Sequence, residues 1–424
     1  MSLSRTDRKI VSDLARRAAE IAASPEMADR RSHWCEHNSL RSAYPMVLVF
    51  PEGGWQEILP DSALRCEDPA VRGIECELRR RIYTHEHFAA DNVVDPSWGV
   101  PKAIGNTGWG VKAKHIASDD ARGAWHFDPV ILSPDDLRRL RHPEVTYDEA
   151  DSLRRHAVAV EAIGDVLPVT LDGVKHISYH LMNQYTGWRG LEEVMVDMYA
   201  EPQMLHDAMA FLEEGHRRIL RQYVEQELLQ FNNDNTYHNS GGNGFTDELP
   251  LADADPGRVR PSDMWASAEA QEMAQVGPEQ HAEFIMQYEK RLLEPFGLTG
   301  YGCCENLTRK LDDVLTIPHL RRISISPWAD VDACAEKLAG RRAIFSWKPN
   351  PAQLVGAFDA DAIRACIRHT VEVAKAHDCV LEIILKDTHT CEGHPERFDQ
   401  WSRIAREVVT AVWGEPSRSG QAEA

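Results

Sequence analysis

The sequence predicts an α/β chain built as a (β/α)8 barrel (a TIM barrel) with an N-terminal helical elaboration. Three observations point there. From about residue 145 onward, short aliphatic runs alternate with segments whose apolar residues recur at helical spacing, the pattern of parallel βαβ units. Several such units spread over most of a 424-residue chain suit a barrel with insertions better than a small open sheet. No G-x-G-x-x-G follows the first strand-like run, where a doubly wound dinucleotide-binding sheet would carry it.

The elements follow in order. Residues 5–40 read as helices from the spacing in "IVSDLARRAAEIA". "PMVLVFPEGGW" is a short apolar run ended by Pro51 and a glycine pair, a buried strand opening into a loop. "DPAVRGIECELRRRIYTHEHF" returns to helical spacing, and residues 92–130, rich in Gly, Pro and aromatics, form an irregular excursion or hairpin. Helix "YDEADSLRRHAVAVEAIG" then precedes strand "LPVTLDG", followed by a long helical stretch from Trp188 to Leu229 and a polar loop, "FNNDNTYHNSGGNGFTDELP". Four helix-to-strand units close the chain, with strands at "LTGYG", "RRISIS", "RAIFSW" and "CVLEIILK", before a last helix and a polar tail. The expected organisation is a helical extension over 1–40, a barrel over 41–414 and a tail over 415–424.

Composition narrows the function classes. A net charge of −20 repels phosphate backbones, so nucleic acid is not an expected ligand. No apolar run reaches the ~18 residues that span a bilayer, and the charged, amphipathic N-terminus does not read as a secretory signal, so a cytoplasmic protein is expected. Nine scattered cysteines, an odd number, do not resemble a disulfide framework.

In a barrel the chemistry sits where strands end and βα loops begin. Glu52 follows "VLVFP"; Cys303, Cys304 and Glu305 follow "LTGY"; Ser326 and Trp328 follow "RRISI". Lys348 and Asn350 follow "RAIFSW", and Lys386, Asp387, His389 and Cys391 follow "VLEIIL". The opposite ends of the strands lack such clusters. Cys303 and Glu305, like His389 and Cys391, stand two residues apart, so each pair shares one side of an extended segment and could supply S, O and N ligands to a zinc ion. Packing of both adjacent thiols in the core is the competing reading, and a disulfide between neighbouring cysteines would be strained. The loop over 232–250 offers Asn233, Asp234, His238, Asp247 and Glu248 as pocket residues, or is simply a flexible lid. Lys348 either snorkels beside Trp347 or stabilises negative charge on a substrate.

These stretches carry a family resemblance. "YGCCENLTRKLDDVLTIPHLRRISISPWADVD", "AIFSWKPNPAQL" and "EIILKDTHTCEGHPERF" resemble the uroporphyrinogen decarboxylase superfamily, in particular its branch of corrinoid-linked methyltransferases. The likeness covers about residues 40–412 and implies a barrel with its site at the C-terminal rim. Zinc-dependent members use a His-x-Cys pair and a later Cys; here Tyr301 stands in the histidine place, Cys303 in the first cysteine place and Cys391 in the later one. Glu305 or His389 would then replace the missing histidine. The arginine-rich R-Q-A-G-R motif of true uroporphyrinogen decarboxylases is replaced by "VFPEGGWQEI" with Glu52, which argues against porphyrinogen decarboxylation.

The expected function is therefore zinc-assisted transfer of a methyl group from a small O- or N-methyl donor to a corrinoid or thiol acceptor. Cys303, Glu305, His389 and Cys391 would hold the metal; Lys348, Asn350 and Asp247 would act on the substrate; Glu52, Asn233, His238 and Trp328 would line its pocket. Candidate partners are the methyl donor, a separate corrinoid protein and a second copy of the chain, with no nucleic acid and no membrane. A metal-free decarboxylase or lyase using Asp247, Lys348 and His238, and a non-catalytic small-molecule binding protein, are the alternatives.

Overall fold

A computed structural model of the protein describes residues 3–42, 44–116, 126–238 and 241–415; most of the expected polar tail lies outside the described residues. Seven strands form one sheet: β1 (Met46–Val49), β2 (Ser178–Tyr179), β3 (Trp265–Ala268), β4 (Leu298–Tyr301), β5 (Leu320–Ile325), β6 (Ile344–Trp347) and β7 (Val380–Leu385). Their order is β1-β7-β6-β5-β4-β3-β2, and every neighbouring pair is parallel. The register runs Met46 opposite Glu382, Ile344 opposite Val380, and Arg322 opposite Ile344.

Side chains alternate between the two faces of a strand, and here the faces differ in chemistry. Val47, Val49, Ile323, Ile325, Phe345, Leu381, Ile383 and Leu385 join one large core with helix residues such as Ile367, Val371, Phe398 and Trp401. Full burial of each such side chain is worth roughly 1.5–3 kcal/mol. The intervening positions Met46, Leu48 and Ile384 pack with Trp34 and Phe245 in a separate cluster on the concave face. Arg322, Ser324, Ser346 and Glu382 share that face and are buried. Helices on one side and inserted chain on the other cover the sheet, as a parallel sheet requires.

The N-terminal helices, Arg5–Ala22 and Pro25–Asn38, are each capped by a serine, Ser4 and Ser24, whose side chain accepts from the backbone N–H three residues on. The first buries Val11, Ala15 and Ala18 with Val71, Ile74 and Leu78 of helix Pro69–His87 and Ala159 and Ile163 of helix Glu149–Ile163. The second ends in His37 and Asn38, both fully buried, with His37 Nε2 3.6 Å from Glu382.

A closed eight-stranded barrel was expected, and the sheet is open. Among the described residues, Trp98–Pro101 and Val169–Asp172 pair with each other in a separate two-stranded ladder instead of completing the ring. The free edge of β1 is covered instead by two residues, Asp91 and Asn92. Val47 N–H donates to Asp91 Oδ2 at 2.7 Å, Asp91 N–H donates back to Val47 O at 2.7 Å, and the Asn92 amide exchanges 3.2 Å bonds with both backbone groups of Val49. Two side chains and one backbone N–H thus take the hydrogen bonds an eighth strand would make.

Other elements also differ from expectation. β3, "WASA", was not expected: two alanines and a serine carry no aliphatic run. The long helical stretch is three helices, broken at Gly190 (φ +92°) and before Pro202. No helix among the described residues is long and apolar enough to cross a membrane.

Candidate active site

The loops leaving the C-terminal ends of the strands converge. Gly302 turns the chain directly after β4 at φ +93°, with Leu307 Cδ1 only 2.7 Å from where a Cβ would sit. The loops after β1 and β7 pack backbone against backbone: a Cβ on Gly53 would lie 2.7 Å from His389 O, so only glycine fits. Glu52 (φ +49°) and Asp387 (φ +58°) both hold left-handed backbone at this junction, a conformation that costs about 1 kcal/mol or more per residue and clusters at functional sites.

Four reactive groups meet at the mouth. Cys303 Sγ lies 3.6 Å from Cys304 Sγ, Cys304 Sγ lies 3.6 Å from Asp387 Oδ2, and Lys386 Nζ lies 3.2 Å from Asp387 Oδ1. The hydrogen bond from Cys304, reinforced by the Lys386 charge, holds the Cys303 thiol below its ordinary pKa against the effect of burial. Cys304 is pushed up by Cys303, by burial and by Asp387, so it stays the protonated donor of the pair. Burial would lower the Lys386 ammonium, but Tyr237, Cys303, Asp387 and Cys304 outweigh it and hold that pKa above the ordinary lysine value.

A second lysine sits deeper. Lys348, just past β6, is buried, donates to Ser346 O at 2.9 Å and to Ser346 Oγ at 2.7 Å, and burial pulls its pKa down to about 7. A Cβ on Gly241 would lie 2.7 Å from its Nζ, so the 241–244 segment covers it closely. Below it, Arg322 Nε and Glu382 Oε1 form an ion pair at 2.9 Å with both side chains fully buried. Burial opposes ionisation of Glu382, yet Arg322 and His37 bring its carboxyl down to about 2. Arg322 also donates to Asn38 Oδ1 at 2.6 Å and lies over the Trp265 ring at 5.1 Å. On the β2–β3 side, His180 is bonded through Nδ1 to Glu269; burial would lower its pKa, but Glu269 raises it.

Several residues singled out in the sequence are placed elsewhere. Asp247 is tied to Arg41 by two bonds of 2.9 and 2.7 Å, beside Glu248, which pairs with Arg321 at the start of β5. That is the opposite end of the sheet from the rim, so Asp247 does not act on a substrate there. Asn350 caps the short turn Pro351–Leu354 by accepting from Ala352 N–H at 2.9 Å. Asn233 donates to Leu249 O at 2.9 Å. His238 is buried, lies stacked on Trp265 at 5.4 Å, and is held neutral by burial. Trp328 is 64% exposed and lines a cavity of about 300 Å³ that also reaches Cys304 and Arg309. Glu52 is on the rim, its pKa raised by loss of hydration and then by Asp387.

The proposed metal ligands do not form a shell. Cys391 is buried and donates its thiol to Glu57 Oε2 at 3.0 Å. Glu305 is buried too and accepts from the backbone N–H of Cys303 at 2.8 Å and of Ala270 at 3.3 Å, and burial followed by Glu269 raises its pKa. His389 is exposed. Among the described residues, no group of three or more His, Cys, Asp or Glu side chains is arranged to hold a metal ion. Tyr301 points away from the mouth: its hydroxyl donates to Glu289 Oε2 at 2.9 Å and lies 3.0 Å from His281 Nε2, behind the sheet. The residues present therefore do not fit the zinc site that the family resemblance implies.

Sequence reasoning gave no role to Lys386 and Asp387 and missed His180, Tyr237 and Glu269. The two lysine-loop residues were visible as polar groups after β7. His180 and Glu269 follow strands too short or too small-chained to show as strands, so their rim position had no sequence signal; Tyr237 lies inside the polar loop 232–250, where the polar residues drew attention and the aromatic did not.

No family model matches the chain, and no curated protein sequence matches it. Among solved structures it is similar to a methyltransferase from Methanosarcina mazei, with a TM-score of 0.48 and 12% identity over 89% of this chain and 98% of that one.

Proposed function

We propose that the chain is an enzyme whose catalytic centre is the mouth around Cys303, Lys386, Asp387 and Lys348, and that it transfers a methyl group from a small O- or N-methyl donor. One observation carries the reading: two thiols, a lysine and a carboxylate from the ends of β4 and β7, strands with two others between them, lie in a chain of close contacts. Groups with shifted pKa values gathered in one mouth mark functional sites. The choice of methyl transfer draws on the motif resemblance around "YGCCEN" and "THTC".

The acceptor, a reduced corrinoid carried by a separate protein or a thiol, attacks the methyl carbon as that carbon's bond to the donor oxygen or nitrogen breaks. The departing heteroatom takes a proton from Lys348, which near neutral pH is part-protonated and matched to that task. With a thiol acceptor, the Cys303 thiolate takes the acceptor's proton, and Lys386 keeps that thiolate charged. No step is assigned to zinc.

Incubation with methyl ethers and methylamines, with thiols or cob(I)alamin as acceptors, tests the proposal by mass spectrometry of the methylated acceptor. Cys303→Ala and Lys348→Met are expected to lower turnover at least 100-fold. Wild-type rates in both would remove the mouth as catalytic centre. Lys348's near-neutral pKa also suits a metal-free lyase; release of CO₂ from carboxylic acids, without methylation of any acceptor, would select that reading.

A further inference from the structure

Where the barrel stays open, a cavity of about 350 Å³ lies between the end of β1 and helix Pro69–His87. Its walls are unequal in chemistry. Phe50, Trp55 and Val94 give an apolar side, while Arg80, Thr84 and Tyr237 bring donors. Arg81, also in the wall, is already committed to Glu77 Oε1 at 3.0 Å and Ser97 O at 3.1 Å. Asp95 accepts from the Asn235 amide at 3.0 Å. Arg80 differs: it makes no ion pair among the described residues, and its guanidinium lies 5.5 Å from the Trp55 ring centre. Its Nε is buried without a hydrogen-bond partner, and so is the hydroxyl of Tyr237. An unmet guanidinium donor on a residue that lines a cavity is uncommon in a folded protein unless something binds there. An uncommitted arginine is notable in a chain of net charge −20.

We propose that this cavity binds a small organic acid, its carboxylate on Arg80 and its apolar body against Trp55 and Phe50. Guanidinium and carboxylate match as a charge-assisted pair, and a ring or short chain fills the rest of a space this size. Tyr237 connects the cavity to the catalytic mouth, because its ring lines the cavity and its hydroxyl senses the charges of Lys386 and Cys303. The bound acid is then the methyl donor or a part of it, a role that rests on the function proposed above.

Titration calorimetry on the full chain at pH 7.5, with benzoate, benzamide and benzamidine as probes, tests the site without needing turnover. Benzoate is expected to bind one per chain, benzamide at least tenfold more weakly, and benzamidine not at all. Arg80→Gln is expected to weaken benzoate at least tenfold and Trp55→Leu at least threefold, with the fold of each checked by circular dichroism. Absence of benzoate binding, equal binding of benzamide, or wild-type affinity in either folded variant would overturn the proposal. Should Arg80→Gln fail to fold, the benzoate–benzamide comparison and Trp55→Leu decide it. A chain that binds benzoate through Arg80 yet methylates no acceptor leaves this site standing and removes the methyltransferase reading alone.

Discussion

Cys304 Sγ lies 3.6 Å from Asp387 Oδ2, joining the end of β4 to the end of β7 across the ends of β5 and β6. The contact makes the two neighbouring thiols unequal: one faces a carboxylate, the other feels an ammonium. Iodoacetamide should therefore alkylate Cys303 before Cys304, with an apparent pKa below the ordinary thiol value. Cys304→Ala, which removes the donor, should slow Cys303 alkylation several-fold near pH 7, read by peptide mass spectrometry. Faster modification of Cys304 would reverse the assignment.

Lys348 gives stability a pH dependence of known sign. Burial lowers its pKa from 10.5 to about 7, so between those values the unfolded chain holds more protons than the folded one, and stability rises with pH across that window. Below pH 7 the folded state must carry the buried charge. Lys348→Met should therefore gain stability relative to wild type near pH 6, on the order of a few kcal/mol at about 1.4 kcal/mol per pKa unit. That gain should shrink from pH 7 toward pH 10, as urea titrations would show.

The Arg322–Glu382 pair predicts the opposite limb. With Glu382 at about 2 in the folded state against 4.5 normally, its contribution is complete above pH 4.5 and is lost as pH falls toward 2. Glu382→Gln leaves Arg322 charged and unpaired in the interior, and should cost roughly 3–5 kcal/mol at pH 7 by urea denaturation. Replacing both with apolar residues should recover much of that loss.

Gly242 sits on this pair at φ +69°, where an added Cβ would lie 2.5 Å from Arg322 Nη2 and from Glu382 Oε2. Gly242→Ala should lose roughly 2 kcal/mol or more, from left-handed backbone plus the clash. A thermal melt unchanged from wild type would contradict the position of this segment.

Cys391 should behave as a structural thiol. Burial and Glu57 raise its pKa to about 11, while the donors around Glu57, against burial, hold that carboxyl near 2. Cys391 should stay unmodified by iodoacetamide in the native protein at pH 8 while Cys303 reacts. Glu57→Ala, which leaves the N–H groups of Cys391 and Gly393 without their acceptor, should destabilise the fold by about 1–3 kcal/mol.

The helix–strand alternation after residue 145 was legible because aliphatic runs such as "VLEIIL" and "RRISI" mark buried parallel strands. β2, of two residues, and β3, "WASA", were not, since neither carries the apolar run that distinguishes a strand. Closure was misjudged for a different reason: capping of Val47 and Val49 by Asp91 and Asn92 is a tertiary choice with no local pattern. Reading the residue after each strand placed Cys303 past β4 and Lys348 past β6, where the structure has them. The same rule failed for Cys391, because the i, i+2 argument treats a loop as extended and cannot see that Glu57, over 330 positions away, takes the thiol. Asp247 was misplaced because a long loop carries it to the far end of the sheet, where Arg41 holds it.

The covering of β1 has a consequence for how molecules of this protein meet. An unprotected parallel edge offers a row of amides and carbonyls that another chain can extend, the usual seed of fibrous aggregation. Here two short polar residues use up those groups while leaving space beside them. Asp91→Ala with Asn92→Ala would therefore turn a closed border into a templating one, and Asn92, which satisfies part of that border, also lines the cavity that a full ring of strands would seal.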